Sequence, residues 1–201
     1  MEIIARDISK IYDYNKVISG FNFHFKDNNC YGISGANGSG KSTIIKILSG
    51  FLSPSTGSIQ YSDQGKNIHQ NSIYRYVSIA APYSSPILDF DLKENFDLIK
   101  KFKNDNTKDY NHLLELLEWK DPKQKLLRYF SSGMLQRVSV CMALMFNNKV
   151  VLLDEPTSFL DEKSKEWFKK IVEMNKNNKL IIIASNDASD FYHCREVVAV
   201  R

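Results

Sequence analysis

The chain has 201 residues, 43% of them hydrophobic and 25% charged, with a formal net charge of +4. These proportions belong to a folded globular chain that can bury its own core, and they exclude disorder and fibrous repeats. The lysines are scattered rather than gathered into a basic block with interleaved aromatics, so no direct nucleic-acid partner is expected.

The chain opens with Ile3 and Ala5, followed by Val17, Phe21, Phe23 and Phe25, at alternating spacing on either side of a turn-rich stretch. This predicts an antiparallel β layer. An apolar strand over 30–34 then enters a glycine-rich turn, and 42–48 continues with helical periodicity. Residues 50–57 read as a loop, and 58–61 and 74–80 as strands. From about 92 to 148 the pattern is helical, with Leu113, Leu114, Leu116 and Leu117 on one apolar face. Strand and helix then alternate: a strand over 150–153, a helix over 163–174, a strand over 180–184, a short helix near 188–192 and a strand over 196–200. This order predicts a doubly wound α/β sheet. The expected organisation is one domain, with 1–85 and 149–201 as its core and about 86–148 as a helical subdomain.

Cys30, Cys141 and Cys194 are odd in number, widely separated and set in or beside apolar runs, which reads as buried reduced thiols. With no signal-like segment ahead of the first strand, a cytoplasmic location is expected. The longest apolar runs, such as 138–146, fall far short of the roughly 18 to 20 residues that cross a bilayer. Any membrane role would come through a partner.

Two motifs carry chemistry. Residues 35–42, Gly-Ala-Asn-Gly-Ser-Gly-Lys-Ser, fit the phosphate-loop pattern G-x-x-x-x-G-K-[ST]. Backbone N–H groups of Asn37, Gly38, Ser39 and Gly40 can turn onto phosphate oxygens. Lys41 adds positive charge, Ser42 offers a hydroxyl to Mg²⁺, and Thr43 opens a helix whose positive dipole end faces the anion. The expected ligand is ATP with Mg²⁺. Further on, the apolar strand 150–153 ends in Asp154 and Glu155. A carboxylate at such a strand end fixes Mg²⁺ through its water shell, which suits Asp154. Glu155 is then available to polarise an attacking water.

Residues 129–137, Tyr-Phe-Ser-Ser-Gly-Met-Leu-Gln-Arg, lie just upstream of this strand and resemble the LSGGQ signature of ABC ATPases. Phe130, Ser132 and Met134 stand where that family usually has Leu, Gly and Gln. The resemblance implies an α/β P-loop NTPase of the ABC type, a mostly parallel sheet core with an N-terminal antiparallel β layer and an inserted helical subdomain. It implies that Ser131 and Gly133 meet the nucleotide of a second copy in an ATP-bridged homodimer. Ser131 or Ser132 also reads as an ordinary helix cap. Residues 157–161 resemble the family's D-loop, with Asp161 at the subunit seam or as a helix N-cap. Tyr12 sits where the family stacks an aromatic ring on adenine, with core packing, or Tyr14 in that role, as the competing readings.

Two departures from the family accompany these matches. Ala81 falls at the place of the Gln that follows the strand, and Asn186 replaces the switch histidine that contacts the γ-phosphate. Asn can donate a hydrogen bond but carries no charge. Lys41, Glu155 and Asn186 form the implied catalytic set, with turnover slowed by Ala81 and Asn186. The implied function is an ATPase subunit that energises a separate transmembrane permease from the cytoplasmic face of the membrane. Phe90, Leu92 and Phe96 are candidates either for docking that permease or for the core. A soluble ABC ATPase of the ribosome- or nucleic-acid-associated kind, and a slow nucleotide-binding switch, are the alternatives.

Overall fold

In the computed structural model, which describes residues 1–103, 105–120 and 125–200, β1 (Glu2–Tyr12) and β2 (Asn15–Phe25) form an antiparallel hairpin with Tyr12 opposite Asn15. Asp13 and Tyr14 make its two-residue turn, both at positive φ (41° and 74°), the geometry that matches the twist of the strands. β4 (Thr56–Asp63) and β5 (Lys66–Ile68) extend the layer to a four-stranded sheet of order β2-β1-β4-β5.

The second sheet is parallel and five-stranded. Its order is β6-β7-β8-β3-β9, with β3 (Cys30–Ser34), β6 (Val77–Ala80), β7 (Val150–Asp154), β8 (Leu180–Ser185) and β9 (Glu196–Ala199). Every residue of β7 and β8 is buried. That explains their unbroken apolar sequences, since a parallel sheet is covered on both faces. Alternate side chains serve two cores. Val151, Leu153, Ile181 and Ile183 face one, while Val150, Leu152, Leu180 and Ile182 face the other.

The second of these cores contains Ile44, Ile45, Ile47 and Leu48 of α1 (Lys41–Leu48) together with Ile3, Ile8, Ile18 and Phe25 of the antiparallel layer. The first takes its helical side chains from α2 (Leu92–Lys103), α3 (Tyr110–Leu117), α4 (Ser132–Met145) and α5 (Glu162–Asn175). Leu113, Leu116 and Leu117 are buried there and Leu114 packs against them half-buried, as the predicted face requires. No helix of the described residues is long and apolar enough to cross a membrane.

Two expectations need correction, and one open reading is decided. The strand predicted over 74–80 begins at Val77. Before it, Gln70–Arg75 forms a 3₁₀ turn capped by His69, whose Nδ1 accepts from the Asn71 N–H at 3.2 Å. Only Ile73 of that turn is buried, too sparse a pattern for a strand. Leu92 and Phe96 are core residues, each 2% exposed, and Phe90 is half-buried, so the outward apolar side chains of this stretch are Ile87 and Leu88. All three cysteines are free, but Cys194 is only half-buried, and its sulfur lies 3.2 Å from that of Cys30.

Leu152 is fully buried in the sheet, and Phe102 is 81% exposed on α2. Leu152→Ala should therefore lower stability by about 2–5 kcal/mol, whereas Phe102→Ala should change it by no more than about 0.5 kcal/mol. Urea unfolding of both variants at constant m checks the difference.

Candidate functional site

β7, β8 and β3 lie side by side and parallel, so their carboxyl ends share one edge of the sheet. The register sets Ser34 opposite Ser185 and Asp154 opposite Ala184. Loops leaving such an edge enclose the crevice where open α/β sheets bind ligands.

The loop after β3 turns into α1 at Gly40, which has φ of 100° and would, with a Cβ, press against Val17 at 3.1 Å. Only glycine holds this conformation without strain. The first intrahelical bond runs from the Ile44 N–H to the Gly40 carbonyl. The N–H groups of Lys41, Ser42 and Thr43 thus precede the helical ladder, as in any first turn. No side chain caps this end and no acidic residue occupies its first turn. Donors and dipole together suit an anion. Asn37, Gly38, Gly40, Lys41, Ser42 and Thr43 line one cleft of about 290 Å³ with Val17 and Glu155. Ser39 lies in the same loop, its N–H bonded to the Ala36 carbonyl and its hydroxyl buried without a partner among the described residues.

Lys41 is 5% exposed. Its ammonium donates to the carbonyls of Gly35 (2.9 Å) and Ala36 (3.2 Å) and pairs with Glu155 Oε1 at 3.1 Å. Glu155 sits at φ of 49°, an uncommon conformation for a non-glycine residue that turns the chain sharply at the end of β7. Its other oxygen faces the Ser185 hydroxyl and the Asn186 N–H, both at 3.4 Å.

Asp154 is fully buried, and neither carboxylate oxygen has a hydrogen-bond partner among the described residues. Burial pushes its pKa above the usual carboxylate range and Glu155 adds to this, while Ser42 and Lys41 oppose it. A buried acceptor pair without donors fits a cation. No cluster of three or more His, Cys, Asp or Glu side chains exists among the described residues to hold a metal alone. Mg²⁺ keeps several waters and binds one or two protein groups plus substrate phosphates. Ser42 and Asp154 are the residues that would hold it.

Ser131, Gly133 and Asp161 do not line this cleft. Ser131 caps α4, its hydroxyl accepting from the Met134 N–H at 3.2 Å, and it remains exposed. A Cβ on Gly133 would stand 2.9 Å from the Phe159 carbonyl oxygen, so glycine lets α4 approach the segment after Pro156. Asp161 caps α5, accepting from the Ser164 N–H at 2.8 Å, and bonds from Ser164 hold its carboxyl below the usual range. The cap readings of Ser131 and Asp161 fit this geometry. Tyr12 ends β1, 42% exposed, with Lys10 Nζ 5.2 Å from its ring centre, outside the cleft.

One residue without a predicted role ties these parts together. Gln136 is buried on α4 and donates its side-chain amide to the Pro156 carbonyl at 2.9 Å, fixing the turn that carries Glu155.

A family profile described as ABC transporter matches residues 18–158. The chain belongs to the ABC transporter family. HrtA of Staphylococcus epidermidis, an ATP-binding protein assigned to hemin import, is 32% identical, over 98% of this chain and 96% of that protein. BcrA of Bacillus licheniformis, a bacitracin transport ATP-binding protein, is 28% identical over 92% of this chain. The chain spans 61% of BcrA and 11% of the Caenorhabditis elegans ABC transporter ced-7. The dimeric ABC transporter cassette MJ0796 superposes with a TM-score of 0.86 at 19% identity, over 98% of this chain and 94% of that one. That likeness is one of fold.

In this ABC family member Ala81, read as standing where the family has its Gln, offers no polar side chain to the edge. Ala81 turns into the core, 5% exposed, with its N–H bonded to Ser84 Oγ at 2.9 Å. Tyr83, two residues on, is 45% exposed, with Lys46 Nζ 4.2 Å from its ring centre. Burial, and then the Asp154 charge, push the phenol pKa up, so it keeps its proton. Asn186 does stand at the edge: its amide donates to Asn37 Oδ1 of the phosphate loop at 3.0 Å.

Lys41→Ala should weaken nucleotide binding by about 10- to 100-fold, the loss of a charge-assisted contact. Titration calorimetry of the wild type and this variant checks it.

Proposed function

We propose that the chain is the ATP-binding and ATP-hydrolysing subunit of a membrane transporter, acting as a nucleotide-bridged homodimer at the cytoplasmic face beneath a separate permease. The observation that carries this reading is the convergence of Lys41, Asp154, Glu155 and Asn186 on one edge of the sheet beside an uncapped helix start.

The chain's own groups divide the work. Backbone N–H groups from Asn37 to Thr43 and the Lys41 ammonium bind and orient the phosphates, with Tyr12 against the base. Ser42 and Asp154 would hold Mg²⁺, which when bound would neutralise charge on the phosphoryl oxygens. Lys41 leaves Glu155 for phosphate, and the freed carboxylate accepts a proton from the attacking water. Asn186 donates its amide toward the γ-phosphate and Ser185 steadies Glu155.

Ser131, Gly133 and Asp161 serve the partner copy's nucleotide. Their position outside their own cleft supports this, as do the dimeric forms of MJ0796, one of them bound to ADP and Pi. Residues 86–148 act as the helical subdomain that passes closure to the permease. Two adjoining grooves, of about 470 and 350 Å³, share Val77 and Ile79. Exposed Phe51, Tyr74 and Phe102 rim them, an apolar surface suited to a permease segment. Recovery with a polytopic membrane protein after detergent extraction is expected, and recovery with ribosomes would favour the soluble alternative.

Glu155→Gln should cut hydrolysis by about 10²- to 10⁴-fold while leaving ATP affinity within about threefold, and the variant should run as a dimer with Mg·ATP. The wild type is expected near the slow end of the roughly 1 to 10³ s⁻¹ range. Phosphate-release kinetics and light scattering of both proteins test this. Near-normal turnover of the variant would show that Glu155 is not the base.

A further inference from the structure

β3 runs into the phosphate loop at its carboxyl end and begins, at its amino end, with Cys30. There it pairs with β9, Tyr31 opposite Glu196, and the Cys30 carbonyl accepts from the Arg195 N–H at 2.8 Å. The chain reaches β9 through a 3₁₀ turn, Ala188–Phe191, laid over β3: a Cβ on Gly32 would stand 2.6 Å from Phe191 Cδ1. Cys194 follows this turn, its N–H bonded to the Phe191 carbonyl at 2.9 Å. Both backbones are thus held where the two sulfurs meet, 3.2 Å apart although 164 positions separate them in the chain. Cys30 is 2% exposed and Cys194 half-buried, so a solute reaches the second before the first. Contact with Cys194, then burial, push the Cys30 thiol up, and the Lys176 charge opposes them. Cys141 is fully buried elsewhere, on α4.

We infer that Cys30 and Cys194 form a reversible dithiol–disulfide site, oxidised by a low-molecular-weight disulfide. The Cys194 thiolate, its proton given to water, attacks one sulfur of that disulfide, whose S–S bond breaks and releases one thiolate. Cys30 then attacks the Cys194 sulfur, a new S–S bond forms, and the second small thiol departs with the Cys30 proton. The protein gives up two electrons and two protons, and the small disulfide becomes two thiols. An S–S bond of about 2 Å asks the sulfurs to close by only about 1 Å, a movement the side chains can make. A cysteine without such a neighbour would stop at the mixed disulfide. The link ties the amino end of β3 to the turn before β9, and it closes a loop spanning most of the chain, which restricts the unfolded state.

The test treats the folded chain with oxidised glutathione, blocks the remaining thiols by alkylation in denaturant, and assigns each sulfur by non-reducing peptide mapping. The wild type should give a Cys30–Cys194 disulfide that dithiothreitol reverses, with Cys141 recovered as a thiol. Cys30→Ser should stop at glutathione on Cys194 and accumulate about tenfold more of that mixed disulfide than the wild type. Cys194→Ser should leave Cys30 unmodified. Cys30→Ala, which keeps the buried position apolar, supplies the same readout where the serine variant does not fold. Oxidation should raise the thermal midpoint of the wild type by about 5 °C or more and leave that of the Cys30 variant unchanged. A wild type that keeps glutathione on Cys194 without an internal link would overturn the proposal, as would a link that forms only in urea or joins Cys141. A thermal midpoint lowered by the link would overturn its role as a tie between β3 and the turn before β9.

Discussion

A buried ammonium group organises this site. Lys41 is almost wholly withdrawn from solvent, and an unpaired charge at that depth would cost several kcal/mol. It is satisfied from three directions, by two carbonyls of its own loop and by Glu155 across the edge. Loop, helix start and carboxylate therefore form one electrostatic unit. Asp154 adds a second carboxylate whose buried oxygens have no donor among the described residues. A polyphosphate with a divalent cation matches this set of charges: on the proposed reading the phosphate would compete with Glu155 for Lys41, and the cation would meet Asp154.

The unit depends on register. β7 and β8 bury both faces, so slipping either strand by one residue would exchange the two cores and carry Asp154 and Ser185 away from the edge. The turn after β7 is secured from outside the sheet by the Gln136 amide, while Gly133 admits the Phe159 carbonyl against the start of α4. Thr157, next in the chain, donates to the buried Asp190 at 2.7 Å. The start of α4, the turn after β7 and the segment leading to Asp161 are thus joined within one copy.

Much of this was legible in the sequence because the periodicities are strong. The buried strands gave unbroken apolar runs, the hairpin gave alternation, and the phosphate loop kept its spacing to its helix. Helix caps at Ser131 and Asp161 also follow their predicted chemistry. Positions in loops were harder. Ala81 and Tyr83 are two residues apart in a stretch without periodicity, and the turn closed by Ser84 leaves the first buried and the second exposed. Leu92 and Phe96 illustrate a second difficulty, since an apolar side chain near a variant segment reads equally well as surface or core until the packing of α2 is known. Gln136 and Val17 acquired their places from tertiary contacts with distant elements, which local pattern does not encode.

The central claim is that Lys41 exchanges a carboxylate for a phosphate. A crystal structure grown with magnesium and a non-cleavable ATP analogue measures this directly. The account predicts Lys41 Nζ on phosphate oxygens, Glu155 released from it, and Asp154 turned to the metal's water shell. An analogue bound elsewhere, with Lys41 still paired to Glu155 above an empty loop, would contradict it.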